Sequence, residues 1–257
     1  MKRLGVIGGL GPIATAYFLQ LVIQMTDVTK DQDHVDMIIY NRPSIPDRTS
    51  YILDHSKESP VIPMISIGQE LVEQGVELIA IPCITAHYFH DTLTSQIHVP
   101  IIHIIKETVD YLKVHQISVV GIMATDGTIQ SGIFQKECLQ QGIQPIVPKR
   151  REQSYVMDLI YEDVKANQPV HMEKFRQVSS SLFEEGAQVI LLGCTELSLI
   201  KRDYTIGAGY LDVMELLAMK SVVLCGAPLK QEYKSLITTK GENYANKCIG
   251  ISGTYRN

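Results

Sequence analysis

The segment Glu70-Leu-Val-Glu-Gln-Gly-Val-Glu-Leu-Ile-Ala-Ile-Pro-Cys83 returns later in the chain as Ser181-Leu-Phe-Glu-Glu-Gly-Ala-Gln-Val-Ile-Leu-Leu-Gly-Cys194, at a constant offset of 111 residues. Gly75 answers Gly186, the apolar run 78–81 answers 189–192, and Cys83 answers Cys194. Each copy reads as the end of a helix, a glycine cap, a buried strand and a cysteine closely followed by a threonine. A strand apolar at every position belongs in a parallel sheet covered on both faces. The expectation is an α/β protein of two pseudo-symmetric three-layer domains with parallel sheets. Sites in such sheets form beyond the carboxyl ends of the strands, so the two cysteines are expected to meet in the cleft between the domains.

Working outward, Leu4–Ile7 reads as a strand running into Gly8-Gly9-Leu10-Gly11-Pro12. A helix follows, with Ala14, Phe18, Leu21, Val22 and Met25 at helical spacing and Pro12 in its first turn. Residues 36–40 read as a strand, 41–49 with three prolines as an ordered loop, and 101–105 as a further strand. The second half opens at 117–123, a strand comparable to the first, followed by a loop over 124–132. Helices are expected near 152–166 and 170–185. Asp212-Val-Met-Glu215 has the form of a capping box. The first domain is expected to comprise 1–113 with 213–257, and the second 114–212. Residues 228–257 are polar, weakly patterned and carry no assigned role.

The chain has 257 residues, a net charge of −5 and 45% apolar residues, enough for ample core and no global basic field to recruit nucleic acid or anionic membrane. No run reaches the roughly 18 apolar residues of a membrane span, and the N-terminal apolar stretch is too short for a secretory signal, so a cytoplasmic protein is expected. The five cysteines, at 83, 138, 194, 225 and 248, form no CxxC pair. His87 and His90 lack an evident third ligand, and no metal is expected.

Two thiols at equivalent strand ends, each opening a helix whose free amides favour a thiolate, suit a proton exchange at carbon. One sulfur removes a proton from one face while the other supplies one to the opposite face, without metal or pyridoxal phosphate. Developing negative charge then needs cations or amides nearby. Arg48, in the proline-stiffened loop, offers a bidentate fork to a carboxylate. Thr85 and Thr195 follow the cysteines within two residues and suit either an α-carboxylate or simple helix capping. His87 and Glu196 are candidates to relay a proton or orient a thiol. The run Gly9-Leu-Gly-Pro-Ile-Ala14 also fits a dinucleotide fingerprint, although Pro12 has no amide to offer a phosphate.

Six motifs then occur in order: Ile-Gly-Gly-Leu-Gly-Pro (7–12), Pro-Asp-Arg-Thr (46–49), Pro-Cys-Ile-Thr-Ala-His (82–87), Ala-Thr-Asp-Gly-Thr-Ile-Gln-Ser-Gly (124–132), Ile-Tyr-Glu-Asp-Val-Lys (160–165) and Gly-Cys-Thr-Glu-Leu (193–197). Together they resemble the cofactor-independent aspartate/glutamate racemases, aspartate racemase branch, from residue 4 to about 225. The resemblance implies racemisation of aspartate or glutamate with no cofactor, Cys83 and Cys194 as the two acid/base residues, and a homodimer. It implies Arg48 and Lys165 as holders of the side-chain carboxylate, Thr85, Thr128 and Thr195 as further substrate contacts, and Gly9, Gly11, Ile84, His87 and Glu196 in support. The family motif has Asn where this chain has Ile84, which removes a donor and an acceptor. That departure keeps two alternatives open: an isomerase or decarboxylase acting on a non-amino dicarboxylate such as maleate, and a dicarboxylate-binding protein without turnover.

Overall fold

A computed structural model describes residues 1–239. Positions 240–257, Cys248 among them, were expected in the first domain and lie outside the described residues. The first half runs β1 (Leu4–Gly8), α1 (Pro12–Met25), β2 (Met37–Asn41), α2 (Arg48–Leu53), α3 (Val61–Glu73), β3 (Leu78–Ala80), a 3₁₀ turn (Ile84–Phe89), α4 (His90–Gln96) and α5 (Ile104–Val114). The second runs β4 (Val119–Met123), α6 (Asp126–Ser131), α7 (Ile133–Gln140), β5 (Gln144–Ile146), α8 (Arg150–Asp158), a π-helix (Leu159–Lys165), α9 (Met172–Glu184), β6 (Val189–Leu192), α10 (Thr195–Asp203), β7 (Tyr210–Asp212) and α11 (Val213–Leu224).

Two parallel sheets result, in the orders β2-β1-β3 and β5-β4-β6-β7. β1, β3 and β6 are buried along their whole length, which is why their sequences do not alternate. The strand expected over 101–105 is reduced to one parallel bridge, Ile79 to Ile101, because α5 already begins at Ile104. That bridge is the counterpart of β7: Ile79 N–H donates to Pro100 O and Ile190 N–H to Gly209 O. The 41–49 loop gives way to helix at Arg48, where Asp47 caps α2 by accepting the Ser50 amide.

The duplicated glycines end their helices in the same way. Gly75, at φ +79°, donates to Val72 O while Val76 donates to Leu71 O. Gly186, at φ +101°, donates to Phe183 O while Ala187 donates to Leu182 O. Both are Schellman caps that turn the chain from helix into strand and fix where each strand ends. One apolar cluster threads both halves through α1, α5 and α11, with Phe18, Val109 and Leu217 fully enclosed. Separate clusters cover the far face of each sheet. Asp212 caps α11 by accepting the amides of Met214 and Glu215, as expected, and Glu215 also pairs with Lys201 of α10. Among the described residues no helix is long and apolar enough to cross a membrane.

Candidate active site

β3 and β6 deliver Cys83 and Cys194 to a single cavity of about 270 Å³ between the halves. Its wall also includes Leu10, Asp47, Arg48, Thr49, Ile84, Thr85, Thr125, Tyr161, Lys165, Thr195 and Glu196. Both cysteines are 6% exposed. The larger opening at Tyr17, Lys201 and Tyr233 contains neither thiol. A wider groove of about 1010 Å³, lined by Gly9–Ala14, Pro43 and Leu199, adjoins the cavity and shares Leu10, Asp47, Arg48, Lys165 and Glu196 with it.

The surroundings of the two sulfurs differ. Cys194 caps α10 and donates from Sγ to Glu196 Oε2 at 2.9 Å; Thr195 Oγ1 donates to the same oxygen at 3.1 Å. Burial, and then the Glu196 carboxylate, hold the Cys194 thiol well above its ordinary range, with Lys165 pulling the other way. The thiolate-favouring effect of the helix terminus is therefore outweighed at Cys194. Burial, with a carboxylate at hydrogen-bond distance, costs a thiolate more than helix amides return.

Cys83 shares the cavity wall with Arg48. Arg48 is buried, which alone would lower its pKa, yet Cys83 and Asp47 raise it. Its Nη atoms donate to the carbonyls of Leu10 (2.9 Å), Pro46 (3.0 Å) and Ile45 (3.4 Å), and its Nε is buried without a partner among the described residues. The guanidinium is thus locked to the glycine loop and the proline loop, with its Nε–H still to give. Lys165 ends the π-helix, a geometry that recurs at functional sites, and comes from the opposite half. Its Nζ stands 3.9 Å from the Tyr161 ring centre and 3.9 Å from Asp47 Oδ2. Burial disfavours its charge, but Glu196, Cys194, Tyr161 and Asp47 raise its pKa above the usual value. Tyr161 donates to Asp47 at 3.4 Å. Asp47 is pushed up by burial and more than compensated by the Ser50 amide, Arg48 and Lys165, so its pKa is lowered.

Thr85, Thr125 and Thr128 form a closed triangle of hydroxyls at 3.0, 3.0 and 3.1 Å that joins the two halves. Thr128 is not among the cavity-lining residues and holds Thr85 and Thr125 from behind. Sequence reasoning did not single out Asp47, Thr49, Thr125 or Tyr161, although each lies inside a quoted motif. The Asp47–Arg48 adjacency was the available signal.

The Gly9 amide is closed to a phosphate. A Cβ on Gly9 (φ +88°) would stand 2.3 Å from Arg42 N, and the Gly9 amide is spent on Thr15 Oγ1 at 2.9 Å. The glycines serve packing of the chain on itself, which removes the dinucleotide reading. Gly11 caps α1, and a Cβ there would stand 3.7 Å from Glu196 Oε1.

His87 does not line the cavity. Its Nε2 bonds Ile81 O at 3.2 Å, its Nδ1 is buried without a partner among the described residues, and it stacks on His90. Burial, with repulsion from His90 and His103, lowers its pKa from 6.5 to about 3 despite the Ile81 carbonyl. A depressed folded-state pKa gives stability that is full above the unfolded value and lost as pH falls from 6.5 toward about 3. Denaturant titration at pH 7 and pH 5 is expected to show a loss of about 2 kcal/mol from this ring alone. In His87→Gln the pH 7-to-5 difference is expected to shrink by that amount; an unchanged difference would remove His87 as its source.

A family model described as Asp/Glu/Hydantoin racemase matches residues 7–220. The chain belongs to this family. It is 31% identical over 204 residues to the broad specificity amino-acid racemase RacX of Bacillus subtilis (strain 168), covering 77% of this chain and 86% of the relative. Among solved structures, an aspartate racemase of Picrophilus torridus superposes with a TM-score of 0.82 at 31% identity, over 91% of this chain and 98% of that one. A glutamate racemase of Francisella tularensis, solved with D-glutamate, shares the fold at a TM-score of 0.63 and 19% identity, over 93% and 84%. This chain is thus a member of the cofactor-independent amino-acid racemases, a class of isomerases.

Proposed function

We propose that the chain racemises an acidic amino acid, aspartate or glutamate, by a two-base mechanism in which Cys83 and Cys194 are the proton carriers. One observation carries this: two thiols from equivalent strand ends line one small cavity together with Arg48 and Lys165. A substrate seated there offers its α-hydrogen to one sulfur and its opposite face to the other. Arg48 Nε and Lys165 are the cations that meet the side-chain carboxylate, and Thr85 and Thr195 the hydroxyls that meet the α-carboxylate. Removal of the α-proton places charge on the α-carboxylate, so fixed donors there lower the barrier.

The direct test is proton NMR of L- and D-aspartate and L- and D-glutamate in deuterium oxide. Loss of the α-proton signal from either enantiomer of one acid is expected, with the other enantiomer appearing in chiral chromatography of the same sample. No exchange with all four overturns the proposal. Ile84 supports a second reading. It lies in the cavity wall at 2% exposure, and an apolar group there gives nothing to a substrate ammonium. A thermal-shift comparison of maleate with aspartate separates a non-amino dicarboxylate substrate from an amino acid; stabilisation by either without turnover marks a binding protein.

The division into 1–113 with 213–257 and 114–212 belongs to the same proposal; for the described part, through 239, it is supported by the packing of α11 on α1 and α5. A cytoplasmic homodimer completes it, checked by light scattering of the purified chain.

A further inference from the structure

The cavity and the groove beside it divide by chemistry. The charged residues of the groove wall, Asp47, Arg48, Lys165 and Glu196, are all shared with the cavity. Beyond that border the groove's lining side chains, among the described residues, are apolar or absent. Pro12 and Ile13 come from α1, Pro43 and Ile45 from the loop before α2, Val164 from the π-helix and Leu199 from α10. Ile13 is 62% exposed, a large apolar side chain left in water at the edge of a site. The glycine-loop backbone offers little more. The Gly9 amide is spent on Thr15 Oγ1, Leu10 O on Arg48 and Gly11 O on the Thr15 amide and hydroxyl, while Pro12 has no N–H. The first-turn amides of α1, at Ile13 and Ala14, suit one neutral carbonyl. The border carboxylates already have donors: Asp47 accepts from the Ser50 amide and Tyr161, and Glu196 Oε2 from Cys194 and Thr195. Ile84 in the cavity wall has no acceptor for an ammonium, and an ammonium buried against it is costly. The site therefore has cations for carboxylates and an apolar channel for a chain, with little to receive a protonated amine.

We propose that the ligand of this site is an acidic amino acid acylated on its nitrogen, with both carboxylates in the cavity and the acyl chain along the groove. This rests on the acidic-amino-acid reading above and names the substrate more closely. Acylation removes the ammonium that Ile84 cannot serve and keeps both carboxylates for the donors of the cavity. It also supplies the apolar chain for which the groove is lined. The proton exchange is unchanged. One sulfur takes the α-hydrogen as a proton, and the C–H electron pair stays on the substrate, spread into its α-carboxylate. The S–H bond of the other sulfur breaks to form the new C–H bond on the opposite face. The N-acyl bond is neither made nor broken, and nothing is oxidised or reduced.

Calorimetric titration of the full-length protein tests this without turnover. The ligands are L-aspartate and L-glutamate, their N-acetyl, N-butanoyl and N-hexanoyl derivatives, and the side-chain hexylamides of the same two acids. In at least one series Kd is expected to tighten about tenfold from acetyl to hexanoyl, as methylenes leave water for the groove. The N-hexanoyl acid of that series is expected to bind more tightly than the free acid. Ile13→Ser, at an exposed position, is expected to shrink the hexanoyl-to-acetyl ratio at least about threefold. A Kd independent of acyl length in both series overturns the inference, as does a free acid that binds more tightly than all its acylated forms. A side-chain hexylamide binding as tightly as the N-hexanoyl acid also overturns it, since the chain then belongs on the other end of the substrate. Exchange of the α-proton is followed for the same compounds in deuterium oxide. Exchange of a free acid with no gain along either acyl series would fail only this inference. A series that tightens with no exchange by any compound would fail only the functional proposal.

Discussion

Cys83→Ser and Cys194→Ser are each expected to lower racemisation about a thousandfold in both directions, a loss of about 4 kcal/mol of barrier stabilisation. A serine hydroxyl fits either site, since it is smaller than the thiol and at Cys194 still donates to Glu196. What it cannot do is exchange a proton with carbon at neutral pH, because an alkoxide is far less accessible than a thiolate. Both directions suffer because, in the proposed mechanism, every turnover uses each sulfur once, as acceptor or as donor. Folding is the necessary control. With the hydroxyl replacing a mostly buried sulfur, the denaturation midpoint is expected to move by no more than about 1 kcal/mol. Either variant retaining activity within tenfold of the parent would remove that cysteine from the chemistry and with it the two-base mechanism.

The second large effect lies in the scaffold. Gly9→Ala is expected to destabilise the protein by about 3 kcal/mol or more, lowering Tm by about 10 °C. Two costs combine there. The backbone sits at φ +88°, which a Cβ disfavours, and that Cβ would stand 2.3 Å from Arg42 N and 2.5 Å from Arg42 C, backbone atoms that cannot rotate away. Arg42 N–H also donates to Gly8 O, so relief of the clash loosens the β1–β2 edge. Activity is expected to fall as well, because Arg48 hangs from Leu10 O one residue further along. Gly142→Ala is the control: its φ is +74°, but nothing lies within 4 Å of the added carbon, so only the conformational cost of about 1 kcal/mol is expected. Equal losses in the two variants would show that crowding by Arg42 is not what requires glycine at position 9.

The legible parts of this protein were those with local causes. Gly75 and Gly186 carry the same cap because a chain leaving a helix for a buried strand needs a left-handed residue, and that need is written in a few consecutive positions. The covered parallel sheets followed from apolar runs such as 189–192. The placement of both cysteines followed from their position after those runs. The strand expected at 101–105 failed for a local reason too: the chain spends only Ile101 on pairing before α5 begins, and an apolar pair does not reveal which of two elements claims it.

The sequence by itself determined the duplicated architecture and the pair of thiols, since both rest on short-range patterns read twice. Only the tertiary structure decided how those thiols differ. It brought Arg48 and Cys83, thirty-five positions apart in the chain, to the wall of one cavity and Lys165 to Asp47 across the cleft, and it left His87 outside that cavity. It also spent the Gly9 amide on Thr15 and packed the Arg42 backbone against Gly9. The physical reason is that charge acts through space and burial. A sulfur's readiness to ionise depends on which ions stand within a few ångströms of it in a dry cavity, and sequence adjacency does not measure that distance.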